Sequence, residues 1–170
     1  MAVEFKIYDK FDDELERLWK SIDVQNENPF QDYEINKIWF EIFGKSSKLK
    51  IFSYNKNFIA PMYFKEQVAY FCGGQDLFDY HYLISNEHVN QYDIKQLFDE
   101  ILNKNSLIEL NSIASGSKLH IFAQELEKEF KIEYIFEDVC PIINLPNSFE
   151  NYLSQLSKKN RHEIRRKIRK

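Results

Sequence analysis

Apolar residues change their spacing several times along this chain, and each change marks an element. From Ala2 to Asp9, Val3, Phe5 and Ile7 alternate with polar neighbours, the period of two that predicts a half-buried strand. From Asp12 the period lengthens. Leu15, Leu18, Trp19 and Ile22 fall at helical spacing behind Asp12, Asp13 and Glu14, acids that suit the positive end of a helix dipole. Asn28-Pro29 then breaks the chain, and Ile35, Ile38, Trp39 and Ile42 form a second helical stripe that ends before Gly44, a suitable C′ residue. The stripe as a whole, Trp39 included, reads as the apolar face of that helix.

Three short runs rich in aromatic and β-branched residues follow: LKIFSY, FIAPMYF and VAYFC, separated by Asn55-Lys56-Asn57 and Lys65-Glu66-Gln67. They predict an antiparallel meander, with Pro61 placing the middle run at an edge or a bulge. After Gly73-Gly74, DLFDYHYLIS reads as a loop returning through a short strand. Ile94, Leu97, Phe98, Ile101 and Leu102 predict a helix over 89–103, and SLIELNSI a strand after it. A further helix fits Leu119, Phe122, Ala123, Leu126 and Phe130, opened by Ser115-Gly116-Ser117, and KIEYIFE and CPIINL read as two last strands. Beyond Leu145-Pro146-Asn147, with Asn147 or Ser148 as cap, Phe149, Tyr152, Leu153, Leu156, Ile164 and Ile168 predict one helix running to the end of the chain. No glycine, proline or polar cluster closes it before Lys170, so the chain reads as stopping just after it enters a further domain.

With 170 residues, 44% of them hydrophobic and 16% aromatic, the chain can bury the core of one domain, and disorder is excluded as its class. No apolar run reaches the ~18 to 20 residues of a membrane span, and the acidic start does not read as a signal peptide; a cytoplasmic protein that is not transmembrane is expected. Cys72 and Cys140 lie far apart without metal-ligand spacing and read as small buried hydrophobes. Charge changes the picture more. Residues 158–170 hold eight Lys or Arg against one acid, so this stretch carries about +7 and the remainder about −11. That asymmetry points to an anionic partner: an acidic domain, a phosphate-bearing substrate, a membrane surface or nucleic acid.

The order strand, two helices, three strands, helix, strand, helix, two strands resembles a GNAT-type acyltransferase domain. The segments NPFQDYEINKIWFEIFG after Trp19, IAPMYF, FDYHYLI and SFENYLSQLSKKNRHEIRRKIRK resemble pieces of the CelD-type and FemAB-like acyltransferases, whose members carry two GNAT-like halves. The resemblance covers essentially the whole chain. It implies a mixed α/β fold with a mostly antiparallel central sheet flanked by helices, a GNAT-like domain over 1–146, and a basic helix over 147–170 that opens a second, truncated GNAT-like domain. It implies a parent protein that transfers an acyl or aminoacyl group to an amine of a cell-envelope or polysaccharide precursor. Acetyl-CoA or another acyl donor would be its cofactor, and the missing C-terminal half a partner. GNAT enzymes hold the coenzyme A pyrophosphate on a glycine-rich turn after the fourth strand. Cys72-Gly73-Gly74-Gln75-Asp76-Leu77-Phe78 stands at that place with two glycines but without the pattern, and Asp76 and Asp79 would repel a polyphosphate. This half is therefore expected to bind no cofactor and to be inactive by itself.

Candidate chemistry is sparse. His81, between Tyr80 and Tyr82 and near Asp79, has the makings of a general base held by a carboxylate, but no nucleophile is placed beside it, and a hydrogen-bonded structural histidine is the favoured reading. Gln31 in Asn28-Pro29-Phe30-Gln31 either lines a substrate cleft or follows a helix-entry turn with Phe30 buried. The resemblance makes Gln31, Asp79, Tyr80, His81, Arg161 and Arg165 the substrate-proximal candidates. His88, His120 and His162 lack ligand spacing, so no metal is expected. Ser115-Gly116-Ser117 reads as a capping turn rather than an anion site. Phe52, Tyr54, Tyr63, Phe64, Tyr70 and Phe71 read as core rather than a base-stacking platform, because the body lacks the basic residues such platforms carry. The alternative to an acyltransferase half is a noncatalytic module that grips an anionic polymer such as nucleic acid with its basic helix; specific nucleic-acid binding is not expected.

Overall fold

The computed structural model describes residues 5–22, 28–104 and 107–169, without the side chains of Gln75 and Asp76. Val3 of the first predicted strand and the argument from Asp76 lie outside the described residues. Contacts divide the chain into two compact units, Met1–Tyr134 and Ile135–Lys170.

The first unit is mixed α/β, a six-stranded, mostly antiparallel sheet with helices on both faces. β1 (Phe5–Tyr8), β2 (Lys48–Tyr54), β3 (Phe58–Lys65) and β4 (Val68–Phe71) pair antiparallel in sequence order, and β6 (Leu107–Glu109) adds parallel to β4. The two-residue β5 (Ile84–Ser85) pairs with the start of β3. Left-handed backbone at Asn55, Lys56 and Glu66 makes the two meander turns tight, and Asn tolerates that conformation better than most residues.

Alternation along the strands builds two cores. One face presents Phe52, Tyr54, Phe58, Met62, Phe64 and Phe71 to α4 (Gln91–Leu102) and α5 (Lys118–Glu125), through Ile94, Leu97, Phe98, Ile101 and Leu119. The opposite face presents Tyr8, Leu49, Ile51 and Ile59 to α1 (Asp13–Ser21) and α2 (Tyr33–Phe43), through Leu15, Trp19, Tyr33 and Trp39. Burying each large side chain contributes about 1.5–3 kcal/mol, so both helix layers are needed for the sheet to persist. Asp12 caps α1 by accepting from the Leu15 N–H at 3.0 Å. The Tyr33 hydroxyl donates to the Asp12 carbonyl at 3.2 Å, and burial makes it a weaker acid, its pKa pushed up to about 12.

Five expectations are corrected. The isoleucine stripe of α2 faces outward: Ile35, Ile38 and Ile42 are exposed, the last two by more than half (51% and 60%). Of the predicted stripe only Trp39 is buried, and Tyr33 and Asn36 share the inner face with it, because the Asn36 amide donates to the Phe30 and Asp32 carbonyls at 2.9 and 2.8 Å and fixes the helix rotation. Pro61 lies in a central strand, paired with Ile51. Its carbonyl accepts from the Cys72 N–H on the side where β4 leaves off and β5 begins, so the N–H it lacks falls in a gap between two ladders. KIEYIFE and CPIINL form no strand; Ile135, Phe136, Ile142 and Leu145 are exposed, and so is Cys140, which was expected to be buried. The last helix is two helices, α6 (Phe149–Gln155) and α7 (Lys158–Ile168), because Leu156 and Ser157 are extended and the Ser157 hydroxyl caps α7 by accepting from the Asn160 N–H at 3.3 Å. The Ser-Gly-Ser turn caps α5 as expected, Ser117 accepting from the His120 N–H at 3.3 Å.

DLFDYHYLIS begins in the last two residues of α3 (Gly74–Leu77) and ends in β5. The helix that connects β4 to β6, α4, is held by a reciprocal cap. The Asn90 side chain accepts from the N–H groups of Tyr92 and Asp93, and Asp93 Oδ2 accepts from the Asn90 N–H at 3.2 Å and from Asn57 Nδ2 at 3.0 Å. Asp93 is fully buried and ties α4 to the β2–β3 turn. Asp93→Ala is expected to lower unfolding stability by about 2 kcal/mol, measured by urea denaturation, because it removes a cap and leaves the Asn57 amide short of a partner.

Candidate functional site

The places singled out by sequence meet around the turn that follows β4. Asn28 caps the 3-10 turn Pro29–Gln31, which sets Phe30 face to face with Phe78 at 4.7 Å between ring centroids. Phe78 in turn packs on Trp39 and on His81, and Trp39 stacks obliquely on Tyr63 at 5.3 Å. The result is an aromatic cluster between α2 and the sheet, with Gly73-Gly74 passing over it.

Gln31 and His81 both belong to this cluster, and both are engaged by backbone. The Gln31 side chain donates to the Leu83 carbonyl at 3.3 Å, while its own carbonyl accepts from the Trp19 indole at 2.8 Å. These bonds staple the segment before α2 to α1 and to the chain entering β5. His81 is 5% exposed, lies between the rings of Phe71 and Phe78, and sets Nδ1 2.9 Å from the Asn111 carbonyl, which fixes the proton on that nitrogen in the neutral ring. Asp79, two residues earlier, is exposed, and Tyr80 stacks on Tyr82. The structure therefore brings His81 to a carbonyl rather than to the Asp79 carboxylate. Arg161 and Arg165 lie on α7 in the second unit; Arg165 pairs with Glu150 at 2.6 Å.

The two glycines owe their identity to packing. Gly73 has φ +120°, a region L-residues rarely adopt, and a Cβ there would run into the Phe78 ring and come within 2.6 Å of His81 Nε2. Gly74 has φ +64°, and a Cβ would meet the Trp39 ring at 3.2 Å. The backbone is glycine at this turn because aromatic rings crowd beneath it, and the short helix behind it has only four residues, Gly74–Leu77. Cys72, the residue before, is fully buried, and burial pushes its thiol well above the ordinary range, so it is no nucleophile.

Elsewhere, Phe52, Tyr54, Phe64 and Phe71 are core, and the partly exposed Tyr63 and Tyr70 stack on each other at 5.2 Å. Among the described residues no three His, Cys, Asp or Glu side chains gather as metal ligands would, and no helix is long and apolar enough to cross a membrane. On α7, Lys158, Arg161, His162, Arg165, Arg166 and Arg169 line one shallow groove of about 400 Å³. Their spacing of three and four places these six on one helix face, while Lys159 and Lys167 lie on other faces, so basic residues still cover most of the circumference of α7. Sequence reasoning singled out Arg161 and Arg165 as candidates but not Lys158, His162, Arg166 and Arg169, which share their helical spacing.

No family model, curated protein or solved structure matches the chain. Its function is therefore argued from its own residues and geometry.

Because Gly73 combines left-handed backbone with a ring under its Cα, Gly73→Ala is expected to cost about 3 kcal/mol and to lower Tm in a thermal melt. Unchanged stability would mean that the turn is open and the packing account of its glycines is wrong.

Proposed function

We propose that this chain is the amino-terminal, noncatalytic half of a GNAT-like acyltransferase of the CelD-type and FemAB-like kind. The whole enzyme would transfer an acyl or aminoacyl group to an amine of a cell-envelope or polysaccharide precursor. The observation that carries the reading is the sheet order: four antiparallel strands in sequence, then a crossover through α4 into β6 lying parallel to β4. That is the beginning of the arrangement the resemblance implies. The two last strands it also implies are absent from the described residues.

Acyl transfer needs a neutral amine, a donor carbonyl held within reach of it, and dipoles aimed at the oxyanion. Neither Gln31 nor His81 is free to supply these, since each is bound to a backbone carbonyl within the fold. The reading assigns the donor cradle and the chemistry to the other half, and to this half the wall of the acceptor cleft. The outward isoleucines of α2 in the first unit support it, and so, taken separately, do the exposed apolar residues between Ile135 and Leu145 in the second, because exposed apolar surface marks interaction sites. Calorimetric titration with acetyl-CoA is expected to show no binding by this chain; a micromolar dissociation constant would overturn the assignment.

The basic stripe of α7 favours a second reading, a noncatalytic module that holds an anionic polymer such as nucleic acid. Titrating a labelled oligonucleotide distinguishes the two. The half-enzyme reading expects weak binding without sequence preference, whereas tight binding that falls steeply with salt would establish the second.

A further inference from the structure

A second concave place in the first unit lies on the opposite side of β1 from the solvent-facing Ile7. It is a cleft of about 330 Å³ between α1, β1, β2 and the β2–β3 turn, lined by Lys6, Tyr8, Glu14, Arg17, Ser53 and Lys56, among others. The local fold explains each position. Tyr8 and Ser53 project from neighbouring strands toward the α1 layer, where they are only 7% and 3% exposed. Arg17 comes from the outer part of α1, and Lys56 from the left-handed apex of the hairpin turn (φ +58°).

The charges around this cleft do not cancel. Lys6 is paired with Glu14 and sits over the Tyr8 ring at 4.9 Å, so those two neutralise each other. Arg17 and Lys56 form no ion pair among the described residues and leave two positive charges on the rim. This happens in a unit whose sequence is otherwise acidic, with 15 Lys or Arg against 23 Asp or Glu over residues 1–134. Cations left unpaired in an acidic domain, in front of two buried hydroxyl-bearing side chains, make a site for an oxyanion. A carboxylate would neutralise one of the two charges. A phosphate monoester carries about −1.5 to −2 at neutral pH and would match both. The guanidinium fork of Arg17 suits its planar pairs of oxygens, and the Ser53 and Tyr8 hydroxyls supply neutral donors. The cleft is near the lower limit of small-ligand sites, roughly 300–1,000 Å³.

We propose that this cleft binds the phosphate group of a small phosphomonoester, with Arg17 and Lys56 as its charged contacts and Ser53 and Tyr8 beneath. The site is independent of the acyltransferase reading, since it lies away from the aromatic cluster and uses none of its residues.

Calorimetric and phosphorus NMR titrations of the full chain with inorganic phosphate and with glycerol 3-phosphate, in low-salt buffer, test the proposal. Saturable one-to-one binding is expected, with acetate failing to compete. Arg17→Ala and Lys56→Asn are each expected to weaken it about tenfold, as loss of one charge-assisted contact does. Asn is chosen because it keeps the left-handed turn, and the fluorescence of Trp19 in α1 reports that the fold is retained. Arg161→Ala/Arg169→Ala is expected to leave binding unchanged. Heats that merely follow ionic strength, binding untouched by the Arg17 and Lys56 substitutions, or binding lost with the α7 pair would each overturn the assignment.

Discussion

The pairing of β2 with β3 is the contact on which the rest of the first unit depends. Seven residue pairs, from Lys48 with Phe64 to Tyr54 with Phe58, set a register in which most side chains of both strands are buried. A strand pair covered on one face only would leave either Phe52, Tyr54, Phe58 and Met62 or Leu49, Ile51 and Ile59 in water. Helix layers on both faces are therefore a consequence of this register. A slip by one residue would exchange the two sets and mismatch both layers at once. The hairpin turn is tied to the same arrangement, because Asn57 at its end reaches the buried Asp93 that caps α4.

Constraint is unevenly distributed around the sheet. Between β4 and β5 the chain is held by rings and carbonyls: Phe30 on Phe78, His81 between two phenylalanines, Gln31 bonded to Leu83. A region so fully engaged is suited to holding shape. Charge without an ion-pair partner among the described residues sits elsewhere, on the rim formed by Arg17 and Lys56 and on Lys158, Arg161 and Arg169 of α7, whose Arg165 and Arg166 are paired with Glu150 and Glu163. Places that look chemical in the sequence, a histidine near an aspartate and a double glycine, are thus structural here. The electrostatic opportunities lie on residues that attract little notice when read one at a time.

Element identity was largely legible in the sequence because it follows local rules. The acidic start of α1, the Asn-Pro break, the meander turns, the Ser-Gly-Ser cap and the α4 stripe each combine a period with a start or stop signal within a few residues. Facing was less legible. The isoleucine stripe of α2 is a good helical pattern, yet the helix presents Tyr33, Asn36 and Trp39 inward, because hydrogen bonds of Asn36 to the preceding turn and aromatic contacts with Phe78 and Tyr63 outweigh the burial of three aliphatic side chains. The runs KIEYIFE and CPIINL have strand composition, but a strand exists only where another offers its backbone, and composition does not report that.

By itself, then, the amino-acid order determined which segments become helices and hairpins, that the class is mixed α/β, and that charge is segregated into an acidic body and a basic end. These depend on interactions between residues a few positions apart. Only tertiary structure decided which face of α2 is buried, that Pro61 fits a central strand at the gap between two partners, and that Gly73 answers to a ring beneath it. It also decided that His81 addresses a carbonyl and that Lys6, Tyr8, Arg17, Ser53 and Lys56 share one cleft. Each of these is fixed by groups far apart in the chain, whose meeting is set by the joint packing of two cores against one sheet.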